Sequence, residues 1–175
     1  MKKIIALITI ILFTTVGFSQ TTYGIRSGIN VSNLDFDPAP TFDNTHRNGF
    51  FFGGFVDWYV TESTSLITEL QYSAEGAKAK ELKADYLQLP VLLQLDLTYK
   101  LSVGVGGQAN LKTWRFQDNY NTITFSGLLG VEYMITDEVF IDARYSYGFS
   151  NVIDDRFSEF EAKNSNIQFG IGFKI

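Results

Sequence analysis

Apolar and polar residues alternate with a period of two along most of the chain beyond residue 22. That spacing belongs to a strand whose two faces meet different surroundings. Eight segments carry it: about 23–31, 50–60, 66–75, 87–97, 101–111, 123–133, 139–149 and 167–175. The clearest lies within YLQLPVLLQLDL, residues 86–97, where Leu87, Leu89, Val91, Leu93, Leu95 and Leu97 share one face. Gln88, Pro90, Leu92, Gln94 and Asp96 share the other. The same sorting adds Ile25, Phe52, Leu70, Val105, Leu129, Ile141 and Ile171 to the apolar face. No position on that face is charged, although 19% of the chain is.

The opposite face holds Arg26, Asp57, Glu69, Glu75, Asp96, Glu132, Asp142, Arg144 and Lys174. Its other members are largely Gly, Ser, Asn and Gln. A soluble barrel or sandwich would turn the apolar face inward. A transmembrane barrel turns it outward to lipid and keeps the polar face inside. Glycine decides between them. It weakens a strand unless another group must come close, as happens inside a narrow eight-stranded barrel. A charge at the lipid midplane costs about 2–4 kcal/mol, which accounts for the uncharged outer face. The fold expected is therefore all-β: an eight-stranded antiparallel up-and-down transmembrane β-barrel with a filled polar interior.

The connections agree. Long stretches (32–49, 76–86, 112–122, 150–166) alternate with short ones (61–65, 98–100, 134–138). Outer-membrane barrels pair long extracellular loops with short periplasmic turns in this way. Aromatics gather near the segment ends, as two interfacial girdles would. Trp58, Tyr59, Tyr99, Tyr133 and Phe140 lie by the short turns, and Phe50, Phe52, Trp114, Phe116, Tyr147 and Phe149 by the long loops.

The N-terminus has a different character. Lys2 and Lys3 precede the apolar run 4–16, and small residues follow at Gly17 and Ser19. This is the pattern of a secretory signal peptide over 1–19, with a barrel domain over 20–175. The run is too short for the roughly 20 residues that span a bilayer as a helix.

A chain of 175 residues suits one domain. It has no Cys and a single His, which removes thiolate metal sites and most catalytic triads. A net charge of −5 offers no basic surface for a nucleic acid. No enzymatic activity and no cofactor are expected. The lone His46 sits beside Asp43, Asn44 and Arg47 without a serine at motif spacing. Acidic groups at Asp35, Asp37 and Asp43, and at Asp154, Asp155, Glu159 and Glu161, match no defined calcium loop. Solvated carboxylates are the simpler reading.

Inside so narrow a barrel, isolated charges are very costly and must pair. The expected lumen network is Arg26, Asp57, Glu69, Asp96, Glu132, Asp142, Arg144 and Lys174. Arg144 is expected at its centre, because a planar guanidinium can hold two carboxylates. Such a plug fixes the shape of the barrel; the alternative is a narrow porin-like passage for small solutes.

Three stretches carry a family resemblance. Residues 86–90, YLQLP, are similar to a YLxIP strand start, and residues 68–76, TELQYSAEG, to ELxYSxxG. Residues 143–151, ARYSYGFSN, are similar to RYxxGLxN, with Phe149 in place of Leu. Together they resemble the small PorT-like outer-membrane β-barrels of Bacteroidetes over essentially the whole mature chain. The last strand, NIQFGIGFKI, resembles the signal read by the barrel-assembly machinery, with Ile175 in place of the usual terminal aromatic. The resemblance implies the fold and a bacterial outer-membrane location, not an activity; an accessory component of a protein secretion system is an alternative function. The function expected is that of a structural or interaction barrel surrounded by outer-membrane lipid and lipopolysaccharide. Its loops 32–49 and 150–166, with Phe36, Phe42, Phe157 and Phe160, would contact envelope proteins or glycans.

Overall fold

A computed structural model of the chain describes residues 21–41, 44–113, 120–154 and 161–175. Eight strands follow one another: β1 (Thr21–Asp37), β2 (Arg47–Thr61), β3 (Thr64–Gly76), β4 (Lys83–Asp96), β5 (Leu101–Lys112), β6 (Ile123–Met134), β7 (Val139–Gly148) and β8 (Glu161–Lys174). Each pairs antiparallel with its neighbour, and β8 returns to β1 to close the barrel. Closure leaves no strand edge with unpaired backbone groups, which hydrocarbon could not satisfy.

The two faces separate cleanly. Ile25, Leu89, Leu129 and Ile171 point outward and are more than half exposed, at 64, 55, 58 and 54%. Arg26, Asp57, Glu69, Gln71, Gln88, Glu132, Asp142 and Arg144 point inward and are buried. Leu89, Val91 and Leu93 thus form part of the outer wall, while Glu69 and Arg144 lie within. Ala74 is an exception on the outward side, buried where β3 runs on past its last β2 partner at Ser73.

Several strands run further than the alternation indicates. The predicted loop 32–49 contains the end of β1 and the start of β2, leaving 38–46 as the connection. The predicted loop 150–166 contains the first half of the ladder from Glu161 to Asn166, which pairs with Ser32–Asp37. The cause is chemical. Above the lipid, the outward positions become polar (Asn33, Asp35, Asp37, Glu161, Lys163) and the inward ones include Leu34 and Ala162. The alternation persists with its sign reversed. The remaining connections keep the long-short pattern: 38–46, 77–82, 113–122 and 149–160 at one end, 62–63, 97–100 and 135–138 at the other.

The girdles also need correction. Phe140 is buried inside the barrel, and Tyr59, which alternates with the outward Trp58, lines the bore's short-turn mouth. Phe50, Phe52, Tyr133 and Phe149 are outward and exposed. Trp114 and Phe116 lie outside the described residues, as do Phe42, Asp43, Asp155, Phe157, Glu159, Phe160 and the signal-peptide segment.

Candidate functional site

The inward face stacks five layers of side chains along the bore. The central one is ionic. Arg26 on β1 directs Nε and one terminal nitrogen at Asp142 of β7, at 2.9 and 2.6 Å. Its other terminal nitrogen donates to Glu69, Gln71 and Gln168 at 3.1, 3.1 and 3.2 Å. The guanidinium carbon lies 4.3 Å from the ring centre of Phe51. Glu69 is shared, because Arg144 donates to its second oxygen at 2.6 Å. Two arginines and two carboxylates therefore neutralise one another away from water. The centre of the network is Arg26, which takes the bidentate role expected of Arg144. Its position explains this: strands on both sides of β1 present acceptors, whereas Arg144 reaches Glu69 alone among these carboxylates.

Towards the short turns lies a second charged group. Lys174 donates to Glu132 at 2.7 Å and to Asp57 at 3.3 Å, and Gln94 also donates to Glu132. Asp96 stands apart at the mouth, half-buried, accepting from the Ser102 hydroxyl at 2.6 Å. Between the two charged groups, except where Glu132 and Asp142 meet as cross-strand partners, is an apolar layer that sequence reasoning missed: Phe55, Ile67, Leu92, Leu128 and Phe140. Phe55 and Phe140 meet edge-on at 5.8 Å, a favourable geometry for two rings. Glycines make the room. A Cβ on Gly24 would lie 2.3 Å from the Phe55 ring, and one on Gly172 would lie 2.1 Å from the Phe140 ring. The close group that the glycines accommodate here is an aromatic ring rather than a wet channel. That pairing was the available signal: bulky residues at inward parity, opposite inward glycines.

Towards the long loops, Glu75 is wholly buried amid neutral donors. It accepts from Ser73, Gln88 and Asn166 at 2.7, 3.0 and 2.7 Å, and from Asn164. Gln88 also links to Gln71 and Asn110, which extends an amide ladder down to the Arg26 layer. Above this ladder, Leu34, Ala77, Ala84, Tyr86, Tyr120, Val152, Ile153 and Ala162 close the bore with a second apolar cluster, against which Phe36 packs. Burial pushes the Tyr120 phenol well above its usual range, so it remains protonated.

The rim beyond is uneven in charge. Lys78, Lys80 and Lys83 are exposed around the β3–β4 connection, whereas Asp35, Asp37 and Glu161 are exposed on the β1–β8 side. His46 is exposed and bridges to Ala77 through its backbone. Among the described residues, no three carboxylates or histidines converge as a metal site would require.

A closed antiparallel eight-stranded cylinder with an apolar exterior and a paired polar interior defines an integral outer-membrane β-barrel. The chain belongs to the outer membrane protein beta-barrel domain family, whose model matches residues 18–154. No curated protein matches it by sequence. Its fold is similar to that of Neisserial surface protein A, with a TM-score of 0.60 at 13% identity over 87% of this chain and 97% of that one. It is also similar to Ail, the attachment invasion locus protein of Yersinia pestis, with a TM-score of 0.59 at 14% identity over 89% and 99%. A de novo designed transmembrane β-barrel gives 0.50 at 14% identity over 88% and 95%.

Proposed function

We propose that this outer-membrane barrel is a closed, non-enzymatic scaffold whose extracellular rim makes its specific contacts. The observation that carries the reading is the occupancy of the bore. The Lys174 group, the apolar layer, the Arg26 network and the Tyr86–Tyr120 cap follow one another along a single axis. An ion crossing it would have to break buried ion pairs, each several kcal/mol from water, and pass two apolar seals. The loops and the extended β1–β8 ladder then remain as the parts free to recognise envelope proteins or glycans.

Two finer readings accompany this one. The signal-peptide pattern over 1–19 supports export across the inner membrane, and the β8 sequence supports insertion by the barrel-assembly machinery. The YLQLP, TELQYSAEG and ARYSYGFSN stretches support a place among PorT-like barrels, and an accessory component of a protein secretion system is the alternative to the scaffold. Conductance in planar bilayers tests the closed scaffold. Folded protein should give no steady unitary current, whereas a reproducible single-channel step would establish the porin-like alternative.

A further inference from the structure

The bore opens at its short-turn end into a vestibule of about 550 Å3. Its carboxylates outnumber its cations. Asp96 on β4 and Glu132 on β6 line it together with Lys174 on β8. Asp57 on β2 reaches the same lysine at 3.3 Å. Three carboxylates thus share one ammonium, whereas the Arg26 layer pairs two carboxylates with two arginines. The rim of the vestibule does not restore the balance, because Glu62 and Asp137 line it beside Lys100. Lys100 itself lies over the Tyr99 ring, 5.7 Å from its centre.

The surplus shows atom by atom. Asp57 is 1% exposed, yet its Oδ1 has no hydrogen-bond donor among the described residues. Its Oδ2 is directed at the Lys174 ammonium, which lines the vestibule, so the orphaned oxygen belongs to the vestibule floor. Glu132 is 5% exposed, and both its donors, Lys174 and Gln94, fall on Oε1. Asp96 accepts from the Ser102 hydroxyl, and no basic side chain among the described residues pairs with it. Ser102 is the cross-strand partner of both Asp96 and Glu132. The two acids therefore flank it two strands apart, with about 10 Å between their backbones. That spread suits an elongated cation rather than a point charge. Among the described residues, no three acids or histidines are placed to hold a metal ion. Half-buried Tyr59 and Met134 add apolar wall.

We infer that the short-turn vestibule binds an aliphatic diamine, one ammonium against Asp96, the other against Glu132, and the methylene stem on Tyr59 and Met134. Two positive charges match the surplus of two carboxylates. Each ammonium brings three donors and no acceptor, which is what these oxygens lack. A recess lined by one sign of charge within low-dielectric walls also concentrates the opposite ion. Lys174 keeps its bonds to Glu132 Oε1 and Asp57 Oδ2 throughout. The site lies at the opposite end from the extracellular rim and outside the apolar layer. It stands whether or not the rim finds a partner or the bore conducts.

Isothermal titration calorimetry of the detergent-folded protein tests it, with putrescine, its monoamine counterpart n-butylamine and magnesium chloride titrated separately at neutral pH and low salt. Putrescine should bind at one site roughly tenfold tighter than n-butylamine, the gain expected of one added hydrogen bond between charged groups. Magnesium should bind no better than n-butylamine. Asp96→Asn keeps an acceptor for Ser102 and should bring putrescine down to the n-butylamine level. Ser63→Lys puts a tethered ammonium on the exposed turn that lines the vestibule, and should weaken putrescine several-fold. Heat-dependent gel mobility reports folding of each variant. Amide NMR shifts on adding putrescine should centre on Ser102, Glu132 and Met134. Equal binding of n-butylamine, tighter binding of magnesium, unchanged putrescine affinity in either variant, or shifts centred on the long-loop rim would overturn the assignment.

Discussion

The body of the barrel and the collar above it are built from the same strands on opposite rules. In the body of β1, Ile25 and Ile29 face out while Arg26 and Asn30 face in. A few residues later Asp35 and Asp37 face out and Leu34 faces in. β4 reverses between Tyr86, buried in the cap, and Leu87, exposed on the wall. β8 does so between Ala162, buried inside, and Ile167, exposed outside. The backbone ladder continues through each reversal. What changes is the solvent. Where lipid surrounds the strands, the cheapest place for a charge is the interior, beside another charge. Where water surrounds them, the interior becomes an ordinary apolar core. The position of the reversal therefore marks the upper edge of the bilayer on these three strands.

The test with the largest effect addresses the body's interior. Arg26→Met leaves Asp142 and part of Glu69 without their cation, and removing one partner of a buried pair costs about 3–5 kcal/mol. Equilibrium urea unfolding in lipid vesicles should show a loss of that order. A loss below about 1 kcal/mol, the range of exposed pairs, would mean that water reaches this layer and that the body's interior differs less from the collar's surroundings than the geometry indicates. The next largest addresses the body's exterior. Leu89→Arg puts a charge on the lipid wall and should cost about 2–4 kcal/mol if Leu89 is near the midplane. The same unfolding assay measures it, and a neutral result would move Leu89 out of the hydrocarbon.

The contrast also explains what could be read from the sequence. The eight strands, the outer wall and the polar character of Arg26, Glu69, Asp142 and Arg144 were legible, because a uniform solvent imposes one rule over nine or so residues per strand. The collar was not. At residues 32–37 and 161–166 the rule changes sign, and a reader tracking apolar positions on one face sees the strand end and a loop begin. The inward rings were hidden for a different reason. Phe51 lies between Phe50 and Phe52, so an unbroken aromatic run masks its parity, and Phe140 lies next to a short turn where a girdle is expected. Which arginine lies at the centre depends on distances across strands far apart in sequence, such as Arg26 to Asp142. Parity supplies a face and no such distances.

A smaller effect tests why glycine faces the body's interior. Gly172→Ala drives a methyl group into the Phe140 ring, and such overpacking costs about 1–3 kcal/mol. In a Phe140→Leu background, much of that cost should disappear, giving a coupling of about 0.5–3 kcal/mol by double-mutant cycle. Additive losses would mean that Gly172 is needed for its backbone, not for the ring opposite.

The smallest expected effect has the reverse sign and belongs to the collar. Glu161 on β8 pairs across the ladder with Asp37 on β1, two like charges side by side and both exposed to water. Like charges directly opposite one another are unfavourable, and opposite ones gain about 0.2–1 kcal/mol. Glu161→Lys should therefore raise the unfolding midpoint slightly, and 1 M salt should remove the gain, because screening shortens the reach of exposed charges to about 3 Å. A lysine on this strand's outer side is thus expected to be welcome in the collar, while an arginine at Leu89 is costly. A penalty at 161 comparable to that at 89 would extend the bilayer over the collar and erase the distinction between the two regions.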